Sequence, residues 1–559
     1  MFFVLLILGI VARTSYGLPA FVEVETSLGS VRGLQMQTRF GNKFWGFRGI
    51  RYAAPPVAEL RFQNPQPVNA WKPMIFDATQ DGPRCPQVTK NTTDLSEDCL
   101  RLNIYTKHVQ NNAKKPVLVY LHPGGFYTLT ATSPYAGPEY LMERDIVLVT
   151  LNYRLGSLGF LAAGTADAPG NMGLKDQVMA LQWIRQHIVR FGGDPNLVTI
   201  WGYSAGSRSV GLHMMSPMSH GLFHRAIMMS ASPLGAIRYR YNQTDLAERQ
   251  ARLLNCPANP TAVMIKCLKE KPMMAFVNTT EAMFEFEWNP LINWEPVIEN
   301  DCGQERFLVE DPYKTMLNGN LNKVPLIIGT NEYEFYSPAY YNLRNETRRQ
   351  RFNDNFAKYA PLYFKYERDS HRSQCISSAL YSFYFGNHSL EYPGSMKAFG
   401  QLYSDAIVGF NYYRFLKLVE KHVPVYTYFF NYKGRYSFFR NPETNETHGA
   451  VHHDELLYLL NFSVKAPIFR KSDPENDLIE RFTRMWASFA KTGDPNKCQD
   501  EYLKDILWPT YTADRKEYLE IGSQVHLKTR GIFAERLEFW DNLFPAGEML
   551  NTDVVIKCF

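Results

Sequence analysis

The run Gly202-Tyr203-Ser204-Ala205-Gly206 carries the clearest chemistry in the chain. A serine hydroxyl is a poor nucleophile until a turn lifts its Oγ into the open and a neighbouring base takes its proton. The apolar, β-branched stretch Val198-Thr199-Ile200-Trp201 comes before it, and Val210 and Met214 continue it at helical spacing. Ser204 therefore sits at a strand–turn–helix junction, the context of a nucleophile elbow. A Cβ at position 202 or 206 would collide in so tight a turn, and the serine between them is forced into a strained conformation. The free N–H groups of the following helix favour developing negative charge. The chemistry this suits is acyl transfer, which further needs a base, an acid behind the base, and N–H donors for an oxyanion.

Each need has candidates. Pro116-Val117-Leu118-Val119-Tyr120-Leu121 reads as a buried parallel strand that ends in His122-Pro123-Gly124-Gly125-Phe126. Bare backbone there suits an oxyanion hole, with Gly124, Gly125 and Ala205 as donors. Glu332 and Glu334 both stand just past a strand expected over 324–328, and either could reach a histidine on a neighbouring loop. His448, His452 and His453 cluster in a loop after the late strand Val425–Phe430, where a base would be placed.

These residues need a sheet to carry them. Core strands are expected at 146–151, 226–229, 324–328 and 425–430, and short strand-like runs stand at 21–24 and 44–46. Leu174, Val178, Leu181, Ile184 and Ile188 recur at helical spacing, a crossover helix before the elbow strand. The stretches near 232–320 and 335–420 are aromatic-rich and read as helical insertions over the site. Pro290, Leu291, Ile292 and Trp294 are the expected pocket wall.

A chain of 559 residues with 14% aromatics can bury a large core around one lined pocket. The net charge of +5 comes from scattered basic residues, which argues against a nucleic-acid partner. The apolar run Phe2–Ala12 is too short to span a bilayer, and Ser15-Tyr16-Gly17 follows as a cleavage site. Residues 1–17 thus read as a secretory signal peptide, and no later run reaches the roughly 18 apolar residues of a membrane span. Sequons at Asn91, Asn242, Asn278, Asn345, Asn387, Asn445 and Asn461 accord with secretion and glycosylation. The eight cysteines should mostly pair in an oxidising compartment. Cys85 lies near Cys99, and Cys256 near Cys267. Cys375–Cys498 is the expected third bridge, Cys302 has no assigned partner, and Cys558 is expected to be free or intermolecular.

Further stretches extend the pattern: Ser96-Glu97-Asp98-Cys99-Leu100, Asn152-Tyr153-Arg154-Leu155-Gly156, Phe191-Gly192-Gly193-Asp194-Pro195-Asn196 and Thr492-Gly493-Asp494-Pro495-Asn496. With the elbow, they make the chain resemble the type-B carboxylesterase/lipase family, which includes cholinesterases and insect esterases. The resemblance implies an α/β-hydrolase fold: a large, central, mostly parallel sheet flanked by helices, in one domain over residues 18–559. It implies hydrolysis of small carboxylic esters through an acyl-enzyme, with no cofactor and no metal. Family register selects Glu334 from N-x-x-E and His452 from G-x-x-H-x-x-E. It further implies bridges Cys85–Cys99 and Cys256–Cys267 and ion pairs Arg61–Glu97 and Arg154–Asp176.

The chain departs from the family at several places. Pro123 replaces a glycine that is not an N–H donor, and Ser207 replaces a glycine after the elbow. Tyr203 replaces a glutamate, and Phe335 replaces the glycine after the acid, which leaves Glu332 as second choice. No tryptophan lies between Cys85 and Cys99 to stack on choline, which argues against cholinesterase activity. The Arg-Phe, Asp-Gln, acid and G-x-x-H elements resemble those of juvenile hormone esterases, whose elbow usually carries glutamine. A silent adhesion protein on the same fold is the rival, but such proteins usually lack the serine or the histidine.

Overall fold

The computed structural model describes residues 20–109, 112–497 and 500–545. At its centre lie parallel strands in the spatial order β2 (Val147–Leu151), β1 (Lys115–Leu121), β3 (Gly193–Tyr203), β4 (Arg225–Met229), β5 (Leu326–Asn331), β6 (Val425–Phe430) and β7 (Tyr518–Ile521). Antiparallel strands extend both edges: Arg101–Thr106, Lys43–Arg51, Gly29–Gln37 and Phe21–Thr26 beyond β2, and Val525–Lys528 beyond β7. This is the mostly parallel α/β sheet expected.

The middles of the central strands are apolar and buried because both faces are covered. Side chains alternate across a strand, so Val117, Val119, Leu121, Val198 and Ile200 enter one core. There they meet Leu174, Val178, Leu181 and Ile184 of α1 (Met172–His187). Leu118, Tyr120, Trp201 and Tyr203 enter the other core, against Ile479, Phe482, Met485, Trp486 and Phe489 of the helix Asn476–Thr492. A third cluster, rich in phenylalanine and tyrosine, fills the insertion helices Tyr336–Arg344, Glu346–Phe364, His371–Phe385 and Met396–Ser404.

One boundary moves with consequence. The strand expected at 324–328 is β5, Leu326–Asn331. Pro325 has no N–H to give a ladder, while Gly329, Thr330 and Asn331 pair with Tyr428, Phe429 and Phe430. The ladder therefore carries Asn331 to within three residues of Glu334.

Cys85–Cys99 and Cys256–Cys267 are disulfides, Cys375 is disulfide-bonded, and Cys302 is free and exposed. Residues 1–17, Cys498 and Cys558 lie outside the described residues. Arg61 grips Glu97 through two bonds of 2.7 and 2.6 Å, and buried Arg154 grips Asp176 at 2.8 and 2.7 Å. Among the described residues, no helix is long and apolar enough to cross a membrane. Of the sequons, Asn91, Asn278, Asn345, Asn387 and Asn445 are exposed, whereas Asn242 and Asn461 are half-buried.

Candidate active site

β3 ends at Tyr203 and α2 (Ala205–Met215) begins two residues later, with Ser204 alone between them. Ser204 has φ 53° and ψ −118°, a region that costs a non-glycine residue about 1–3 kcal/mol. Its N–H donates to Met229 O at 2.9 Å, and its carbonyl accepts from Arg208 N at 2.9 Å. A methyl on Gly202 would overlap the Gly206 carbonyl, and one on Gly206 would overlap Leu121 O. Both glycines are thus fixed by close approach, as the motif requires.

The acid and base loops are joined by their backbones. Tyr333 N donates to Ala450 O at 2.9 Å, and His452 N donates to Glu334 O at 3.0 Å. Their side chains then meet: His452 Nδ1 lies 2.6 Å from Glu334 Oε2. Glu334 Oε1 accepts from Asn331 N at 2.7 Å and from Thr330 Oγ1 at 2.9 Å. This is why the extra length of β5 matters. With Nδ1 engaged, His452 Nε2 is buried and has no hydrogen-bond partner among the described residues.

The alternatives lie elsewhere. Glu332 has its carboxyl on Tyr333, and burial raises its pKa. His448 stacks on Tyr336 with ring centroids 3.6 Å apart. His453 is half-buried and its pKa is held well below the usual imidazole range, first by desolvation and then by His452. Glu455 accepts from the Tyr428 hydroxyl at 2.6 Å. Burial and the nearby Glu334 push its pKa well up.

The two departures beside the site have structural roles. Tyr203 sends its hydroxyl between the loops, where it accepts His453 N–H at 2.8 Å and the Asn331 amide at 3.2 Å. That hydroxyl is 3.4 Å from His452 Nδ1 and 3.5 Å from Glu334 Oε2. Burial, Glu334 and Glu455 all raise its pKa, so it stays a neutral phenol. Phe335 packs its ring 4.6 Å from the His452 imidazole and ties its N–H to Ser404 Oγ at 3.2 Å. With Phe335 there, Glu334 still meets His452 at 2.6 Å.

Opposite Ser204, Gly124 and Gly125 have φ +114° and +58°. A methyl on Gly124 would overlap Thr128 O, and one on Gly125 would lie 2.7 Å from the Tyr127 ring. Among the described residues neither glycine N–H has a backbone carbonyl to donate to, and Ala205 N is the first N–H of α2. Behind this loop His122 stacks on Tyr153 at 4.3 Å and directs Nδ1 at Pro123 O, 2.7 Å away. Desolvation holds its pKa down at about 4, so it is neutral.

Ser204, His452, Gly124, Gly125 and Ala205 all border one cavity of about 350 Å³. Leu291 and Ile292 line it, as expected. Pro290 borders a neighbouring cavity instead, and Trp294 is buried in the core, the indole being the large apolar group of its segment. The far wall holds groups not singled out from sequence. Ala406, Ile407 and Val408 come from a single π-helical turn, Asp405–Gly409, within an otherwise α-helical run. Arg208, one turn beyond Ser204, and Lys365 both reach Glu295 at the same wall. Helical spacing from Ser204 marks Arg208, whereas the other two come from loops whose path periodicity does not reveal.

A family model described as the carboxylesterase family matches residues 20–540. Juvenile hormone esterase of Tribolium castaneum is 36% identical over 534 residues, covering 90% of this chain and 88% of that protein. Esterase FE4 of Myzus persicae is 34% identical, covering 85% of each. The crystal structure of juvenile hormone esterase from Manduca sexta, with OTFP covalently attached, matches with a TM-score of 0.83 at 27% identity, covering 94% of this chain and 100% of that one.

Proposed function

Because the chain belongs to the carboxylesterase family and is a carboxylic ester hydrolase, we propose that Ser204, His452 and Glu334 are its catalytic triad and that Gly124, Gly125 and Ala205 supply its oxyanion hole. One observation carries this reading. The Glu334–His452 contact of 2.6 Å commits Nδ1, which leaves Nε2 unpartnered at the cavity that Ser204 borders. Ser204 Oγ attacks the ester carbonyl while Nε2 takes its proton. Glu334 fixes the tautomer and stabilises the imidazolium that forms. The three N–H groups bind the tetrahedral oxyanion, each worth about 3 kcal/mol of transition-state stabilisation. The imidazolium returns its proton to the leaving alcohol, and water then clears the acyl-enzyme by the same route. The covalently attached ligand of the Manduca sexta esterase supports a covalent route by analogy.

The chain is read as secreted and glycosylated. The apolar run Phe2–Ala12, the exposed sequons and the disulfides support this. N-terminal sequencing of protein recovered from culture medium should begin at or near Leu18, and an intact Met1 would overturn it. For the triad, Ser204→Ala and His452→Ala should each lower kcat by about 10⁴-fold or more. Activity within tenfold of the unmodified chain would refute the assignment.

A further inference from the structure

The cavity that Ser204 and His452 border is also lined by a charged cluster, Arg208, Glu295 and Lys365. Arg208 Nη2 donates to Glu295 Oε2 at 2.7 Å and its Nε to Tyr239 OH at 3.1 Å. Lys365 Nζ binds the other carboxylate oxygen, Glu295 Oε1. Two cations thus share one carboxylate, and the cluster keeps a net positive charge. Leu291, Ile292, Ile237 and Val408 line the same cavity. Burial opposes the charge on all three groups, yet the two cations hold the Glu295 carboxyl down at about 2.

The same three residues form the partition to a second cavity of about 250 Å³, which also touches Arg238, Arg240 and Arg368. Arg240 pairs with Asp245 and Arg368 with Glu285, so those two arginines are already balanced. Uncompensated charge is costly even at a partly buried wall such as this one. An anion brought by a ligand would balance it through charge-assisted hydrogen bonds, and arginine suits carboxylate geometry.

We propose that the Arg208–Glu295–Lys365 cluster is a specificity site, and that the enzyme favours esters bearing a second, anionic carboxylate on the acyl or the alcohol half. This rests on the Ser204 reading. The chain from scissile carbonyl to carboxylate must span roughly one helical turn, about 6 Å, plus the reach of the guanidinium. Removing either cation leaves Glu295 with one partner, so Arg208→Met and Lys365→Met each cancel the surplus charge without stranding an ion.

The test measures kcat/KM for p-nitrophenyl hemiesters of succinic, adipic and suberic acid, and for acetate esters of ω-hydroxy acids. Each is paired with its methyl-capped neutral twin. In the unmodified enzyme, at least one anionic ester should match or exceed its twin. Either variant should lower that anionic-to-neutral ratio by about thirtyfold or more. Anionic esters slower than their twins by about a hundredfold at every length would overturn the inference, as would ratios unmoved by both variants. If a variant fails to fold, the ratios of the unmodified enzyme still decide. Turnover of neutral twins alone defeats only this inference, whereas no turnover of any ester defeats the serine reading too.

Discussion

The strained turn at Ser204 and the positive-φ glycines Gly124 and Gly125 were legible from residue type and spacing because backbone sterics within a few residues dictate them. The proposed acid was not. Glu332 and Glu334 look alike to periodicity, and only family register separated them, since the choice depends on which carboxylate the far His452 loop reaches. Tyr203 shows what sequence leaves out: its hydroxyl binds both loops at once, over separations no local pattern records. Tyr203→Phe removes the acceptor of His453 N–H and the Asn331 amide. It should lower kcat by about five- to thirtyfold with little change in KM, measured alongside a pH–rate profile. An unchanged kcat would reduce Tyr203 to packing. Gly124→Ala places a methyl against Thr128 O and should cost about 3 kcal/mol of transition-state stabilisation, read as a fall in kcat/KM with the melting temperature recorded in parallel.

Strands and helices were legible wherever one periodicity ran unbroken, as in α1 and β1. They were misread where pairing overrode it: β5 runs on to Asn331 because β6 offers partners, and that extension supplies two donors to Glu334. The π-helical turn Asp405–Gly409 was not legible at all, because its extra backbone residue leaves no mark in composition. Its Asp405 is buried and held by Tyr384 OH at 2.6 Å and Arg536 Nη2 at 3.1 Å. Desolvation outweighs both and lifts its pKa to about 6, above the 3.8 of a free side chain. Between those values the native state holds a proton that the unfolded chain has lost, so this group's contribution to stability falls as pH rises from about 4 to 6. In Asp405→Asn that part of the slope should vanish in denaturant titrations across the window. A slope identical to that of the unmodified chain would show that Asp405 is ionised throughout.

One sheet joins strands from Phe21–Thr26 to Val525–Lys528, with cores on both faces and an aromatic third cluster in the insertions that roof the cavity. The sheet was legible in its apolar runs, but the lining of the cavity was not, because it is assembled from segments that meet only in three dimensions. Arg208 and Lys365 at that wall repel cations, and the Cys85–Cys99 loop offers no tryptophan. Choline esters should therefore turn over at least about tenfold more slowly than their uncharged 3,3-dimethylbutyl isosteres. Equal rates would mean that the cationic wall does not face the substrate.

The most direct test of the triad is to label the purified chain with a fluorophosphonate and map the adduct by peptide mass spectrometry. The expected result is one adduct, on Ser204, with labelling slowed by orders of magnitude in His452→Ala and Glu334→Ala. An adduct on another residue, or labelling of Ser204 at the same rate without His452, would contradict it.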